Sequence, residues 1–486
     1  MKIKFILFVV VLSIVSSAFT QTLKPGFSKS EYIELLCLTA KHTDPDHFEG
    51  IPIPEKFELN YRSPIVALDN AWELWTSMDN KAAISIRGTT ENTVSWLANF
   101  YAAMVPATGK LNLSATDTFH YALSENPRAA VHVGWLVATA FLSKTILPKI
   151  DSCYASGIKD IYLIGHSQGG GICFLMTAYL YSLQKEGRLP ADIQFKTYCS
   201  AGPKPGNLFF AYEYENITQA GWSYNVVNAN DWVPEVPFSI QTTDDFTEVN
   251  PFRLAKGMIK QQKFPKNVAL NHVYKKLDKP SRKAQNNYQK YLGDLMSEYV
   301  IKNIPGFEAP LYVESNNYVR TGNTIVLMGD SAYFKIYPLD KEKIFQHHLP
   351  APYLYLANKL PENNSDTELQ VEKVKLNGNW ELFYISGKKI SFDGLYPIKK
   401  PTILFDLNAS RVSGNTSCNS FSSSLQIEDG NMLFGDLITT KMFCEGEGEQ
   451  SFLETFQRVN KYNISNTGEL LLMEGEIVLM KLNKKQ

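Results

Sequence analysis

Apolar and polar positions divide the chain into three stretches of different rhythm. In the first, short β-branched or apolar runs alternate with longer helical patterns. Tyr32 to Leu38 reads as a helix, Ala82 to Ile86 as a strand and Gly134 to Leu147 as a helix. Ile161 to Ile164 reads as a strand, Gly171 to Leu183 as a helix, and Phe195 to Cys199 and Ser223 to Val227 as further strands. Strands that are apolar throughout, separated by helices, predict a mainly parallel sheet covered on both faces. Between Pro251 and Pro305 lysines become dense, and Ala284 to Val300 has the period of an amphipathic helix, so this part reads as a helical insertion. Thr324 to Leu327 and Tyr333 to Ile336 are expected to form a hairpin around Gly329-Asp330, returning the chain to the sheet edge. An apolar, helix-like stretch, Tyr353 to Leu360, closes this part.

The polar segment 361–370 breaks periodicity and is the expected linker. Beyond it the pattern predicts short strands at Trp380 to Ile385, Thr402 to Asp406, Asn431 to Phe434, Leu470 to Met473 and Ile477 to Met480. One helix, Glu449 to Val459, interrupts them. The expectation is therefore an α/β domain over 21–360 and a small β-rich domain over 371–486.

The start of the chain has another character. Lys2 and Lys4 precede the apolar run Phe5 to Val15, and Ser16, Ser17 and Ala18 follow. A basic start, a short apolar stretch and small residues predict a signal peptide over 1–20, cleaved after Ala18 or near Thr20, and hence a secreted or periplasmic protein. No cysteine lies near that point to accept a lipid anchor, and no later segment reads as long and apolar enough to span a bilayer. The formal net charge is −1, which gives no reason to expect a nucleic-acid partner. The six cysteines show no CxxC spacing, so no metal site is expected.

The candidate chemistry centres on Gly165-His166-Ser167-Gln168-Gly169, a G-x-S-x-G pattern between an apolar strand and a helix. A serine on so sharp a turn needs glycine neighbours, and the following helix N-terminus supplies N–H groups and partial positive charge for an oxyanion. A serine hydroxyl also needs a base, and the base needs an acid, in the chain order Ser, acid, His. Asp231, in the loop after Ser223 to Val227, is the expected acid, with Asp244 and Asp245 in reserve. Only His272, His347 and His348 follow it. His272 lies in the Lys-rich insertion, and between the other two spacing favours His348. The oxyanion donors are expected at the Gln168 N–H and at Thr89, after the strand ending in Arg87-Gly88.

Together these motifs resemble the class 3 lipase family over about 32–360. The matching pieces are Arg87-Gly88-Thr89, Ser95 to Phe100, His132 to Trp135, Gly165 to Gly169, Asn230 to Pro234 and His348 to Tyr353. The Tyr after the last His is the family's usual spacing and supports His348. The resemblance implies an α/β-hydrolase fold and hydrolysis of acyl esters through an acyl-enzyme, with Thr89 and Gln168 in the oxyanion hole. It also implies a mobile lid within 101–128 and transient contact with lipid interfaces, and it requires no cofactor. Gln168 stands where the family usually has Leu. From 371 onward, Leu376 to Leu382, Val412 to Phe421 and Thr439 to Cys444 resemble the META domain. There Cys418 and Cys444 are a candidate disulfide, the alternative being two buried thiols, while Cys37, Cys153, Cys173 and Cys199 read as core residues. The expected activity is that of an exported carboxylic-ester hydrolase acting on lipid esters. The alternatives are a non-catalytic binding relative or an amide or thioester hydrolase of the same fold.

Overall fold

The computed structural model describes residues 23–40, 51–361 and 376–485, apart from 388–389, 408, 429–430, 466–467 and 476. The expected signal peptide, and all of the expected linker but Pro361, lie outside the described residues. The chain divides into two compact units, Met1–Pro361 and Glu362–Gln486.

The first unit is organised by a seven-stranded sheet. In chain order its strands are β1 (Phe57–Arg62), β2 (Trp72–Ser77), β3 (Lys81–Ile86), β4 (Asp160–His166), β5 (Gln194–Ser200), β6 (Ser223–Asn228) and β7 (Asn323–Leu327), and they neighbour one another in that same order. The pairs from β3 to β7 are parallel, whereas β1 and β2 add an antiparallel edge. Alternate side chains of one strand enter different cores. Ala82, Ile84 and Ile86 of β3, with Ile161 and Leu163 of β4, face one core. Ala83 of β3, with Tyr162 and Ile164 of β4, faces the other. All seven residues of β4 are buried, which is why its middle, Ile161 to Ile164, is an unbroken apolar run rather than an alternation.

Helices α2 (Thr93–Phe100), α3 (Val133–Ala155) and α4 (Gln168–Lys185) contribute to the first core. Helices α1 (Lys29–Ala40), α9 (Ser331–Ile336) and α10 (Pro350–Lys359) contribute to the second. Helix α3 runs eight residues past the expected end at Leu147, through Pro148. At 23 residues it is long and apolar enough to cross a membrane by length and composition, contrary to the sequence reading. Two thirds of its apolar window, 67%, is nevertheless buried in the protein, as befits a core helix.

Two further expectations are corrected. Residues 331–336 are not the second strand of a hairpin. The Asp330 carboxylate accepts the Tyr333 N–H at 2.8 Å, and this cap starts α9 instead, while β7 pairs in parallel with β6. Nor is 101–128 a detached lid. It forms strands Met104–Pro106, Thr108–Ser114 and Asp117–Ala122, and it commits Tyr101, Val105, Leu111, Leu113, Phe119 and Tyr121 to the first core. Burying that much apolar surface fixes the segment to the body of the domain.

The insertion consists of α6 (Pro251–Lys260), after α5 (Leu208–Ile217), then α7 (Lys266–Gln289), a wide π turn over Lys290–Leu295 and α8 (Met296–Asn303). The π turn leaves the Leu292 carbonyl to accept the N–H groups of Ala102 and Ala103, at 2.9 and 3.1 Å, and so docks the end of the insertion on the domain.

The second unit is a closed β-barrel. Nine strands are described, and the ladder from Arg411–Asn415 round to Ser420–Glu428 closes because those two strands also pair with each other. The short strand Ile438–Thr439 hangs on the same ladder. Phe452 and Phe456, from the helix Gly448–Phe456, lie in the barrel core with Trp380, Phe405 and Phe421. Cys418 and Cys444 form a disulfide, and the other four cysteines are buried.

Candidate active site

Ser167 sits between β4 and α4 with φ 61° and ψ −129°, a backbone conformation that costs a side-chain-bearing residue of order 1–3 kcal/mol. The turn is tight enough to exclude side chains around it. A Cβ on Gly165 would lie 2.3 Å from the Gly169 backbone, and one on Gly169 would lie 2.2 Å from the Ile86 carbonyl. The glycines of the motif therefore let β3, β4 and α4 close on one another while the serine hydroxyl stands clear.

That hydroxyl lies 2.8 Å from His348 Nε2, and His348 Nδ1 lies 2.8 Å from Asp231 Oδ2. Since a carboxylate only accepts, Nδ1 carries the proton and Nε2 is left to accept from Ser167. Asp231 also takes a hydrogen bond from the Tyr353 hydroxyl at 2.7 Å and one from the Val233 N–H at 3.0 Å, and its side chain is fully buried. Burial and the Asp231 carboxylate push the Tyr353 phenol well above its ordinary range, so it remains a donor. The structure thus brings Ser167, Asp231 and His348 together.

The other candidates lie elsewhere. His347 points to Tyr333, whose hydroxyl donates to its Nδ1 at 2.7 Å. His272 is exposed on α7. Asp244 pairs with Arg282, and Asp245 accepts from Thr242 and Ser315.

His348 is held from behind by a residue to which the sequence reading gave no role. Burial drives the His166 imidazole down to about 3, so it is neutral. Its Nε2–H donates to the His348 carbonyl at 2.6 Å, which leaves Nδ1 to accept from the Ser200 hydroxyl at 3.0 Å. Tyr32 in turn meets Ser200 at 2.8 Å.

Thr89 and Gln168 face each other across the nucleophile and belong to one directed chain of hydrogen bonds. Trp135 Nε1 donates to Asn99 at 3.1 Å, and Asn99 Nδ2 donates to the Thr89 hydroxyl at 2.9 Å. That hydroxyl donates to Gln168 Oε1 at 2.8 Å, and Gln168 Nε2 donates to Asn70 at 3.2 Å. The Gln168 side chain, 2% exposed, is thereby satisfied where an apolar residue was usual. The Thr89 hydroxyl proton is therefore engaged with Gln168 and is not free to turn towards the nucleophile.

The Ser167–His348 pair opens into a cavity of about 570 Å³. Trp96 and Phe100 of α2 line it, as do Trp232, Phe345 and Val236. Tyr288 and Leu292, from the end of the insertion, line it too. Trp96 and Trp232 both pack on Phe345, at ring distances of 6.2 and 5.4 Å. An apolar chamber of this size beside a serine–histidine pair suits an acyl chain better than a charged ligand.

A strand-to-helix serine, a following acid and a late histidine on a mainly parallel sheet define a lipase-like α/β-hydrolase domain. Comparison with known families agrees: residues 83–241 match the model of the lipase (class 3) family, and residues 372–486 match that of the META domain. Each match is confined to its own part of the chain, the lipase model to the first unit and the META model to the second.

Among solved structures it is similar to the Rhizomucor miehei lipase propeptide complex, with 20% identity over 44% of this chain and 65% of that one, TM-score 0.31. It is also similar to Lip2 lipase from Yarrowia lipolytica, with 19% identity over 43% of this chain and 74% of that one, TM-score 0.32. A third is a triacylglycerol lipase from Penicillium expansum, with 16% identity over 43% and 72%, TM-score 0.32. A search of curated proteins finds no match.

Proposed function

We propose that the first domain hydrolyses carboxylic esters of lipid type through a covalent acyl-enzyme. The reading rests above all on the two 2.8 Å contacts that link Ser167 to His348 and His348 to Asp231. Ser167 Oγ attacks the ester carbonyl as His348 Nε2 takes its proton. The N–H groups of Thr89 and Gln168 receive the oxyanion, and His348 returns the proton to the leaving alcohol. Water, deprotonated by the same imidazole, then releases the fatty acid and restores Ser167. Asp231 holds the Nδ1–H tautomer and stabilises the imidazolium. The apolar cavity supports a substrate with a hydrocarbon acyl group.

Export belongs to the same proposal and rests on the basic and apolar pattern of residues 1–20.

Ser167→Ala is expected to lower turnover of p-nitrophenyl butyrate by at least about 10⁴-fold with the thermal unfolding midpoint preserved. A fluorophosphonate is expected to label the native chain and not the variant. An unlabelled native serine would point to a binding protein that keeps the fold without the reaction.

A further inference from the structure

The insertion does more than wall the cavity. Residues 251–290 carry eleven basic side chains and one acidic one, a formal +10, in a chain whose net charge is −1, so the remainder carries −11. From Pro251 to Leu277 no described side chain is buried. α6, the first half of α7 and the turn between them form a projecting helical pair, yet they display large apolar groups. Phe264 is 81% exposed, Leu277 73%, Leu254 66% and Val268 58%.

The two kinds of residue are sorted by helix face. At 3.6 residues per turn, Phe252, Leu254, Met258 and Ile259 share one side of α6, and the basic positions share the other. On α7 the sorting has two exceptions: Leu270, Val273 and Leu277 share a side that also carries Lys266, and Lys275, Lys279 and Lys283 share another that also carries Val268. Arg282 is neutralised by Asp244 and Asp278. Among the described residues no carboxylate pairs with Lys260, Lys263, Lys266, Lys275, Lys276, Lys279 or Lys283. Water alone would be an adequate partner for the lysines but a poor one for the apolar side.

We propose that this arm docks on an anionic lipid bilayer. The apolar side enters the interface, the lysines meet the headgroup charge, and the far end of α7 brings the cavity walled by Tyr288 and Leu292 to the lipid. A polyanion such as nucleic acid would use the lysines and leave the apolar side uncovered. The proposal rests on the lipid-ester reading only for its purpose, because binding is measured separately from hydrolysis.

The experiment uses the full-length Ser167→Ala chain, which leaves the vesicles chemically intact, with co-sedimentation as the readout. Vesicles of phosphatidylcholine alone are compared with an equimolar phosphatidylcholine–phosphatidylglycerol mixture. Binding is expected on the mixed vesicles only, and is expected to weaken as salt is added. Changing Lys260, Lys263, Lys275 and Lys279 together to Gln is expected to weaken it about 100-fold or more. Phe264→Ser with Leu277→Ser is expected to weaken it about tenfold. In the Ser167 background both sets are expected to keep normal turnover of a water-soluble ester.

Equal binding to both vesicle types, no binding to either, or indifference to the lysine changes would overturn the proposal. So would lysine-dependent binding that ignores the apolar changes and is competed by duplex DNA, which would mark a polyanion site. Dimers that the arm variants abolish, without vesicle binding, would make a second copy of the chain the occupant and overturn it as well.

Discussion

Asp231 is the residue on which most of the catalytic geometry converges, since it accepts from His348, Tyr353 and the Val233 N–H at once. A buried carboxylate with three donors is held in one rotamer, and those hydrogen bonds stabilise its charge. Tyr353 is not among the residues that line the cavity; it positions Asp231. Tyr353→Phe removes one charge-assisted bond, worth about 1.5–3 kcal/mol, while keeping the ring. The expected result is a fall in kcat of about tenfold or more with KM unchanged. A parallel rise in KM would instead mean that the ring helps shape the cavity. At this scale the sequence already carried Ser167, Asp231 and His348, because a strand-to-helix turn and a chain order leave local marks. It carried no role for Asn70, whose contact with Gln168 spans 98 positions and depends wholly on how β2, β3 and β4 come together.

Among elements, β4 and α4 were the most legible, since full burial on two faces demands an uninterrupted apolar run before the glycines. Six residues such as Ser331–Ile336 are too few for period to separate helix from strand, and there the Asp330 cap decides. In the barrel, Arg411–Asn415 and Ser420–Glu428 went unread because serines hide the alternation. Ser423 is buried between Phe421 and Leu425, and its hydroxyl is satisfied by the Gly435 carbonyl at 2.9 Å. The elements also line the cavity. Tyr288 belongs to α7 yet lines it, so in the proposed reaction the insertion would bear on acyl chain length. Tyr288→Ala is expected to enlarge the chamber and shift the optimum of kcat/KM towards longer acyl esters by severalfold. An unchanged ranking across a graded p-nitrophenyl series would exclude that role.

For the molecule as a whole, the buried histidines impose an acid limit. Burial drives His132 and His166 down to about 3, against about 6.5 in an unfolded chain. Below pH ~6.5 the unfolded chain takes up protons that the folded one refuses. Stability is therefore full above that pH and declines as the pH falls towards the folded values, by about 1.4 kcal/mol per unit for each histidine. Urea unfolding is expected to show a loss of about 4 kcal/mol between pH 7 and pH 5 from the pair, and no such loss between pH 7 and pH 8. A flat profile from pH 7 to 5 would mean that these imidazoles are hydrated or protonated in the native state.

The barrel closure bears on how the chain can end. Ile477–Lys484 lies between Gly378–Ile385 and Leu470–Glu474, hydrogen-bonded to both, so the last strand is the stave that holds neighbours from opposite ends of the domain. A truncation before Ile477 would not merely shorten a tail. It would bare two backbone ladders at once, each a template for a stranger's strand, and turn a self-contained cylinder into a seed for association.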